Sequence, residues 1–421
     1  MKFTGLKASM PKRDEQEWLP FDGLRRRLMQ GVGAFAAALA IAVPLGASAD
    51  AIGPNDLNAV VTWGVPMVSA NPSAANQINN QTLREIARIS IGGTRARIKL
   101  SNRWNPLPLE VGGAQIALRT TGSDINPATS RPLTFSGSPT FTIPAGGELL
   151  SDWVDLSVPD LVDVAVDIYL PGDTSATGTV LSVRNGALQT NYVSTAGNFV
   201  GTTPFPQAST RTTWNFLAAI DVVSTGRRGA VVAFGDSITE GLASIANTNS
   251  RWPDVLARRL LPAMRLGVAN QGISGNRATA GGSTNPSSLS RVDRDVLVQT
   301  GATHVIVLLG INDAGSTTAE DIIASLQQTI IRARSLQLKI FIATVTPYGN
   351  SSALVEERRQ TINNWVRTSR EHDGVVDFDL AVRDPANPRR MLAAYDSGDS
   401  LHPSNAGYEA MGNIIDLNFF R

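Results

Sequence analysis

Three groups of residues in this 421-residue chain could do chemistry together. Ser237 lies in Val231-Val-Ala-Phe-Gly-Asp-Ser-Ile-Thr-Glu-Gly241, and Asp399 and His402 lie in Asp399-Ser-Leu-His402. Gly272 and Asn312 lie in Asn270-Gln-Gly-Ile-Ser-Gly-Asn276 and Gly310-Ile-Asn-Asp313. A serine hydroxyl is inert alone. It becomes a nucleophile when a histidine takes its proton and a carboxylate orients that histidine. Of the three histidines, His402 has an aspartate three residues before it. Acyl transfer also needs hydrogen-bond donors aimed at the oxyanion of a tetrahedral intermediate. The Gly272 N–H, bare of a side chain, can approach closely, and the Asn312 amide supplies another donor.

Taken singly, each residue reads more plainly: Asp399 as a loop or cap residue, His402 as a surface histidine, Gly272 and Asn312 as turn residues. Their joint occurrence in this order points to a site. His304, inside the apolar run 303–309, reads as buried at the start of a strand, and His372, after a charged helical pattern, reads as solvated. Asp396 competes with Asp399 as the orienting acid, and the Asp-x-x-His spacing favours Asp399. Trp104, in Ser101-Asn-Arg-Trp-Asn-Pro-Leu-Pro108, either stacks on a sugar or lipid chain of a substrate or packs against a neighbouring domain. Trp252 and Trp365 fall in helical patterns and read as core.

The elements that must position these residues follow from periodicity. Apolar runs at 230–234, 266–269 and 305–309 stop at the three motifs, so each motif falls at the carboxyl end of a strand, where ligands gather in open α/β sheets. Helical spacing occupies 251–261, after the cap signals Asn249 and Ser250, and then 318–336, 353–370 and 406–419; further strands read at 339–345 and 375–378. Alternating strands and helices imply a parallel sheet covered on both faces. The expectation is a flavodoxin-like, three-layer α/β/α domain with five strands. Upstream, short alternating segments at 59–63, 95–100, 115–119, 140–143, 163–170, 179–183 and 216–223 predict an all-β sandwich. The boundary falls at the polar link Ser224-Thr-Gly-Arg-Arg-Gly229.

Over roughly residues 228–421 the motifs resemble those of the SGNH (GDSL) hydrolase superfamily, named for its Ser, Gly, Asn and His. The resemblance implies a serine esterase with Ser237 as nucleophile, completed by Asp399 and His402. It implies an oxyanion hole of the Ser237 N–H, the Gly272 N–H and the Asn312 side chain. Gln81-Thr-Leu-Arg-Glu-Ile-Ala-Arg88 leading into residues 89–102 resembles the sandwich found ahead of the hydrolase in one branch of these proteins. Members act on acetyl esters of polysaccharides, aryl and alkyl esters, lysophospholipids and thioesters. The chain contains no Gly-x-Ser-x-Gly, the nucleophile elbow of the α/β-hydrolases.

Composition bounds the remainder. Hydrophobic residues make up 42% and charged residues 17%, the balance of a soluble globular protein. With no cysteine there are no disulfides or thiolate sites, and neither His-Glu-x-x-His nor a P-loop occurs. No metal or cofactor is expected. Arg25-Arg-Arg-Leu-Met29, an apolar stretch at 32–46 and Ala47-Ser-Ala49 read as a cleavable export signal over residues 1–49. The long polar lead and arginine run fit a twin-arginine signal better than an ordinary secretory one. Its apolar core, about 15 residues, is short for a bilayer span. Cleavage leaves a net charge of −2 and no exposed basic run, so neither a nucleic-acid partner nor a membrane span in the mature chain is expected. The organisation read is thus a signal (1–49), a β-sandwich accessory domain (50–225) and a catalytic domain (228–421) in an exported, periplasmic or extracellular enzyme. The sandwich and signal point to acyl or acetyl groups on carbohydrate or glycoside substrates. A lysophospholipase-like lipid esterase is the alternative. A non-catalytic carbohydrate-binding or adhesion protein should have lost one of Ser237, Gly272, Asn312, Asp399 or His402, and all five are present.

Overall fold

Strand Ala230–Gly235 is fully buried along its length, as a strand covered on both faces must be. In this computed structural model, which describes residues 58–71, 77–175, 180–226, 229–261, 263–281 and 285–421, it lies inside a five-stranded sheet. The spatial order is Gly267–Gly272, Ala230–Gly235, Ala302–Leu308, Lys339–Ala343, Gly374–Val376. All neighbouring pairs are parallel. The first strand in sequence is flanked by the second and third, so chain connections leave it in opposite directions. Such a switch point opens a crevice beyond the strand's carboxyl end. Ser237 stands two residues past that end.

Alternate residues of the central strand enter two separate apolar clusters. Val231 and Ala233 join Trp252, Leu256, Tyr408 and Met411, from helices Trp252–Leu260 and Asn405–Ile414. Val232 and Phe234 join Ile322, Leu326, Ile330 and Ile362, from helices Ala319–Ser335 and Ala353–Thr368. Thr318 and Ser352 cap the second pair of helices, each accepting a backbone N–H with its side chain. The last strand is shorter than the apolar pattern suggests, because Asp377 ends it and caps a short helix, Phe378–Val382.

The upstream half is β-rich, with two large antiparallel sheets. One contains Ala59–Gly64, Leu217–Val223, Gly93–Ser101 and Val154–Val158, with Glu148–Leu150 alongside; the other runs from Gln207–Arg211 to Arg131–Leu133 through Asn79–Arg88 and Asp163–Asp173. Ile98 and Leu100 of the first sheet and Leu83, Val166 and Ile168 of the second share one apolar core. Strand Asn79–Arg88 was not legible as a strand, since Thr-Leu-Arg-Glu-Ile-Ala-Arg has no clean alternation. It holds its place because Arg84, fully buried, pairs with Asp167 at 2.6 and 2.7 Å.

The two halves share a seam. Val61 packs with Ala219, Ala230 and Ala269, its N–H donates to the Thr300 carbonyl (2.8 Å), and the Ser90 hydroxyl accepts the Val268 N–H (2.9 Å). Strand Ala59–Gly64 thereby covers the sheet edge that Gly267–Gly272 would otherwise present to solvent. Trp104 lies at this seam too: its indole N–H donates to the Met67 carbonyl (2.8 Å) and the Arg294 guanidinium sits over its ring.

His372 corrects an expectation. It is buried, not solvated: the chain after helix Ala353–Thr368 folds back so that the ring meets Trp365 edge-on and Nε2 lies 3.0 Å from the Val366 carbonyl. His304 is buried in its strand, as its apolar surroundings imply, and Trp252 is fully buried whereas Trp365 is half-buried. Residues 1–49, the segment that reads as an export signal in the sequence, lie outside the described residues. Among the described residues no helix is long and apolar enough to cross a membrane.

Candidate active site

Buried Asp236 makes the turn from strand to nucleophile. It is the N-cap of the short helix Ser237–Glu240, and its Oδ1 accepts the Ile238 N–H at 3.0 Å. The cap fixes Ser237 at the first helical position, where a backbone N–H has no intrahelical acceptor. Burial, reinforced by the charge of Asp313, raises the Asp236 carboxyl to about 7 against the lowering pull of the Ile238 N–H and Arg291.

The C-terminal loop delivers the histidine. His402 Nε2 lies 2.9 Å from Ser237 Oγ, and His402 Nδ1 lies 2.5 Å from Asp399 Oδ2. The second Asp399 oxygen accepts the backbone N–H groups of Leu401 (2.9 Å) and His402 (2.7 Å). Partial burial pushes the Asp399 pKa upward, but these N–H donors and the His402 ring outweigh it and hold the carboxyl down to about 2. Asp396 faces its own loop instead, where Oδ1 accepts the N–H groups of Gly398 (2.7 Å) and Ser400 (3.0 Å).

The donors divide differently from expectation. Asn312 is in place, its Nδ2 held by the Asn276 carbonyl at 3.1 Å and 3.4 Å from Asp236 Oδ2. Gly272 is not a free donor. Its N–H is engaged by the Asn270 side-chain oxygen at 3.0 Å, and a Cβ on it would fall 2.2 Å from the Glu240 nitrogen. It is a close-approach glycine that lets the second strand abut the nucleophile helix. Three residues on, Gly275 is exposed, has φ +70° and precedes the Asn276 that holds Asn312; its N–H has no partner among the described residues. Both glycines lie in one motif, and spacing alone could not rank them.

Two residues that tie the site together went unread in the sequence. Arg291, fully buried, donates to the Gly235 carbonyl (2.8 Å), the Gln271 carbonyl (2.9 Å) and Asn276 Oδ1 (3.0 Å). It thus joins the end of the nucleophile strand to the donor loop. Asp313 accepts from Ala278 N–H (2.8 Å) and from both the N–H and the hydroxyl of Thr279. Its place after Gly-Ile-Asn was the only signal. Trp104 is not brought to this group: its contacts are those at the seam.

Against known proteins, residues 233–410 match the model of the GDSL-like Lipase/Acylhydrolase family. Similar solved structures include a GDSL-like lipase from Bacteroides thetaiotaomicron (19% identity, 46% of this chain and 87% of that one, TM-score 0.36). A carbohydrate acetylesterase from Sinorhizobium meliloti is also similar (14%, 44% and 95%, TM-score 0.36), as is the aryl esterase of M. smegmatis (18%, 44% and 95%, TM-score 0.36). None of the curated proteins compared with the chain matches it. The matched stretch begins within the nucleophile strand and contains Ser237, the donor loops and His402; the chain is a carboxylic ester hydrolase with a GDSL-like lipase/acylhydrolase domain over those residues.

Proposed function

We propose that the protein is an exported serine esterase that removes short acyl groups, acetyl above all, from carbohydrate or glycoside substrates. The observation that carries the mechanism is the continuous chain from Ser237 Oγ through His402 to Asp399, at 2.9 and 2.5 Å. Ser237 Oγ attacks the ester carbonyl carbon as its proton passes to His402 Nε2. Asp399, ionised well below neutral pH, stabilises the imidazolium that forms. The Ser237 N–H, the Gly275 N–H and the Asn312 side chain receive the oxyanion. His402 then protonates the departing alcohol, and water, deprotonated by the same imidazole, hydrolyses the acyl-enzyme.

A large polar alcohol is supported by the open rim of the site, where Ser274, Gly275 and Asp399 are exposed. A specific observation favours the lipid alternative: Leu242 and Ile245, just beyond the nucleophile helix, are 37% and 62% exposed and could seat an acyl chain. We further infer that the parallel sheet and its helices form three α/β/α layers, that the two upstream sheets form a sandwich over 50–225, that the catalytic domain spans 228–421 and that residues 1–49 are the export signal. The apolar clusters on both faces of the parallel sheet support the layered arrangement.

The test is a comparison of p-nitrophenyl acetate, octanoate and palmitate beside acetylated xylan and pectin, with fluorophosphonate labelling of Ser237. Turnover and labelling should both vanish in Ser237→Ala. Preference for palmitate would replace the carbohydrate reading with the lipid one.

A further inference from the structure

Glu240, three residues after Ser237 on the same short helix, is a buried carboxylate that acyl transfer does not use. One of its oxygens lies 2.6 Å from the Arg184 guanidinium, and both side chains are almost wholly enclosed. Arg184 ends strand Leu181–Arg184 of the β-rich half. The other Glu240 oxygen accepts the Ser274 hydroxyl, and Ser274 directly precedes Gly275. The turn after Arg184 is shaped around this carboxylate. Gly186 has φ +65°, and a Cβ there would come within 2.6 Å of the same Glu240 oxygen. Arg251 holds the turn from the catalytic half by donating to the Ala187 carbonyl.

We propose that Arg184 is a positioning residue for acyl transfer, acting through Glu240 to fix the Ser237 helix and the Ser274–Gly275 donor loop at once. This rests on the Ser237 esterase reading above. A charge-assisted hydrogen bond between buried partners is short and directional, and it joins the β-rich half to the two elements whose relative placement sets attack geometry. Removing the guanidinium leaves an uncompensated carboxylate at the back of the nucleophile helix. The pair also walls a cavity of about 270 Å³ between the halves, with Trp63, Trp214 and Asn270. A smaller side chain at 184 therefore enlarges existing space and does not hollow out packed core.

The experiment uses the full chain with p-nitrophenyl acetate, below the thermal transition of each variant. Arg184→Met should lower kcat about 10- to 100-fold, the scale of a small misplacement of reacting groups, with KM within about threefold. Arg184→Lys, which restores the charge, should recover part of that loss. Wild-type kcat in a folded Arg184→Met overturns the proposal and leaves the ion pair as a clasp between halves. Should Arg184→Met not fold, Ser274→Ala decides, because Ser274 is exposed and the change severs only the link from Glu240 to the donor loop. A fall in kcat of about five- to tenfold at an unchanged thermal midpoint supports the proposal there, and an unchanged kcat overturns it. A wild-type enzyme inactive on the aryl ester, or a fully active Ser237→Ala, would instead sink the esterase reading.

Discussion

Asp399 grips His402 twice, with one carboxylate oxygen 2.5 Å from the ring Nδ1 and the other accepting the His402 backbone N–H at 2.7 Å. The three-residue spacing makes this possible, since the aspartate fixes both the ring and the chain that carries it. Asp399→Asn keeps the shape but offers the ring the wrong hydrogen-bonding partner. It should lower kcat by about 10²- to 10⁴-fold, the upper end being the loss for the corresponding change in a serine protease. Asp396→Asn, confined to the N–H groups of Gly398 and Ser400, should lower the thermal midpoint and leave kcat within about threefold, because surface loop contacts lie outside the reaction. Both variants measured on one soluble aryl ester give the answer, and a larger kcat loss at Asp396 would reverse the assignment.

Asn312 lends itself to a sharper measurement. Its amide donates to the Asn276 carbonyl at 3.1 Å and, over a longer 3.4 Å, to Asp236 Oδ2, so the oxyanion has to displace only the longer of the two bonds. Asn312→Ala should cost about 10²- to 10³-fold in kcat, the scale of one oxyanion donor, with little change in KM. A change confined to KM would make Asn312 a substrate-binding residue.

Gly272→Ala separates packing from catalysis. The added Cβ meets backbone atoms of residues 236 and 240, which cannot swing aside as a side-chain tip would. The expected result is destabilisation of about 1–3 kcal/mol, as for other overpacked sites, read as a lowered denaturation midpoint. An unchanged midpoint would mean that the nucleophile helix moves aside for the Cβ and that close approach is not what Gly272 provides.

How much of this was legible in sequence depends on whether a residue acts through a local pattern or through distant partners. Ser237, Asn312, Asp399 and His402 sit where strands or short loops end, and those ends are written in apolar runs and Asp-x-x-His spacing. The structure brings all four together. Gly272 against Gly275 could not be separated, because the difference lies in which amide the Asn270 side chain engages, a three-dimensional fact. Arg291 and Arg184 were invisible for the same reason: a buried arginine looks like a surface one until its carbonyls and carboxylates are assembled from other elements. Strand Asn79–Arg88 was obscured by the same feature, since Arg84 and Glu85 break the apolar alternation yet are buried. His372 follows a charged helical pattern yet is buried, because its burial comes from a chain reversal that no local charge pattern records.

Asp236 yields a prediction about stability alone. Its carboxyl stands at about 7 in the folded protein, against about 3.9 in an unfolded chain, chiefly because burial disfavours the charge and Asp313 adds a second one nearby. Between those two values the folded state binds the proton more tightly than the unfolded state does. Stability from this group is therefore complete below about pH 4 and is lost as pH rises through about 7. Asn at this position keeps an oxygen to cap Ile238 but cannot ionise. The thermal midpoint of the wild type relative to Asp236→Asn should thus fall steadily from about pH 4 to about pH 7 and level off above it. Taking the difference between the two proteins removes the contributions of the other titrating groups, including Asp399, whose depressed carboxyl acts only at lower pH. A difference that stays flat from pH 4 to 8 would mean that Asp236 is already ionised in the fold, stabilised by Arg291 and the Ile238 N–H despite its burial.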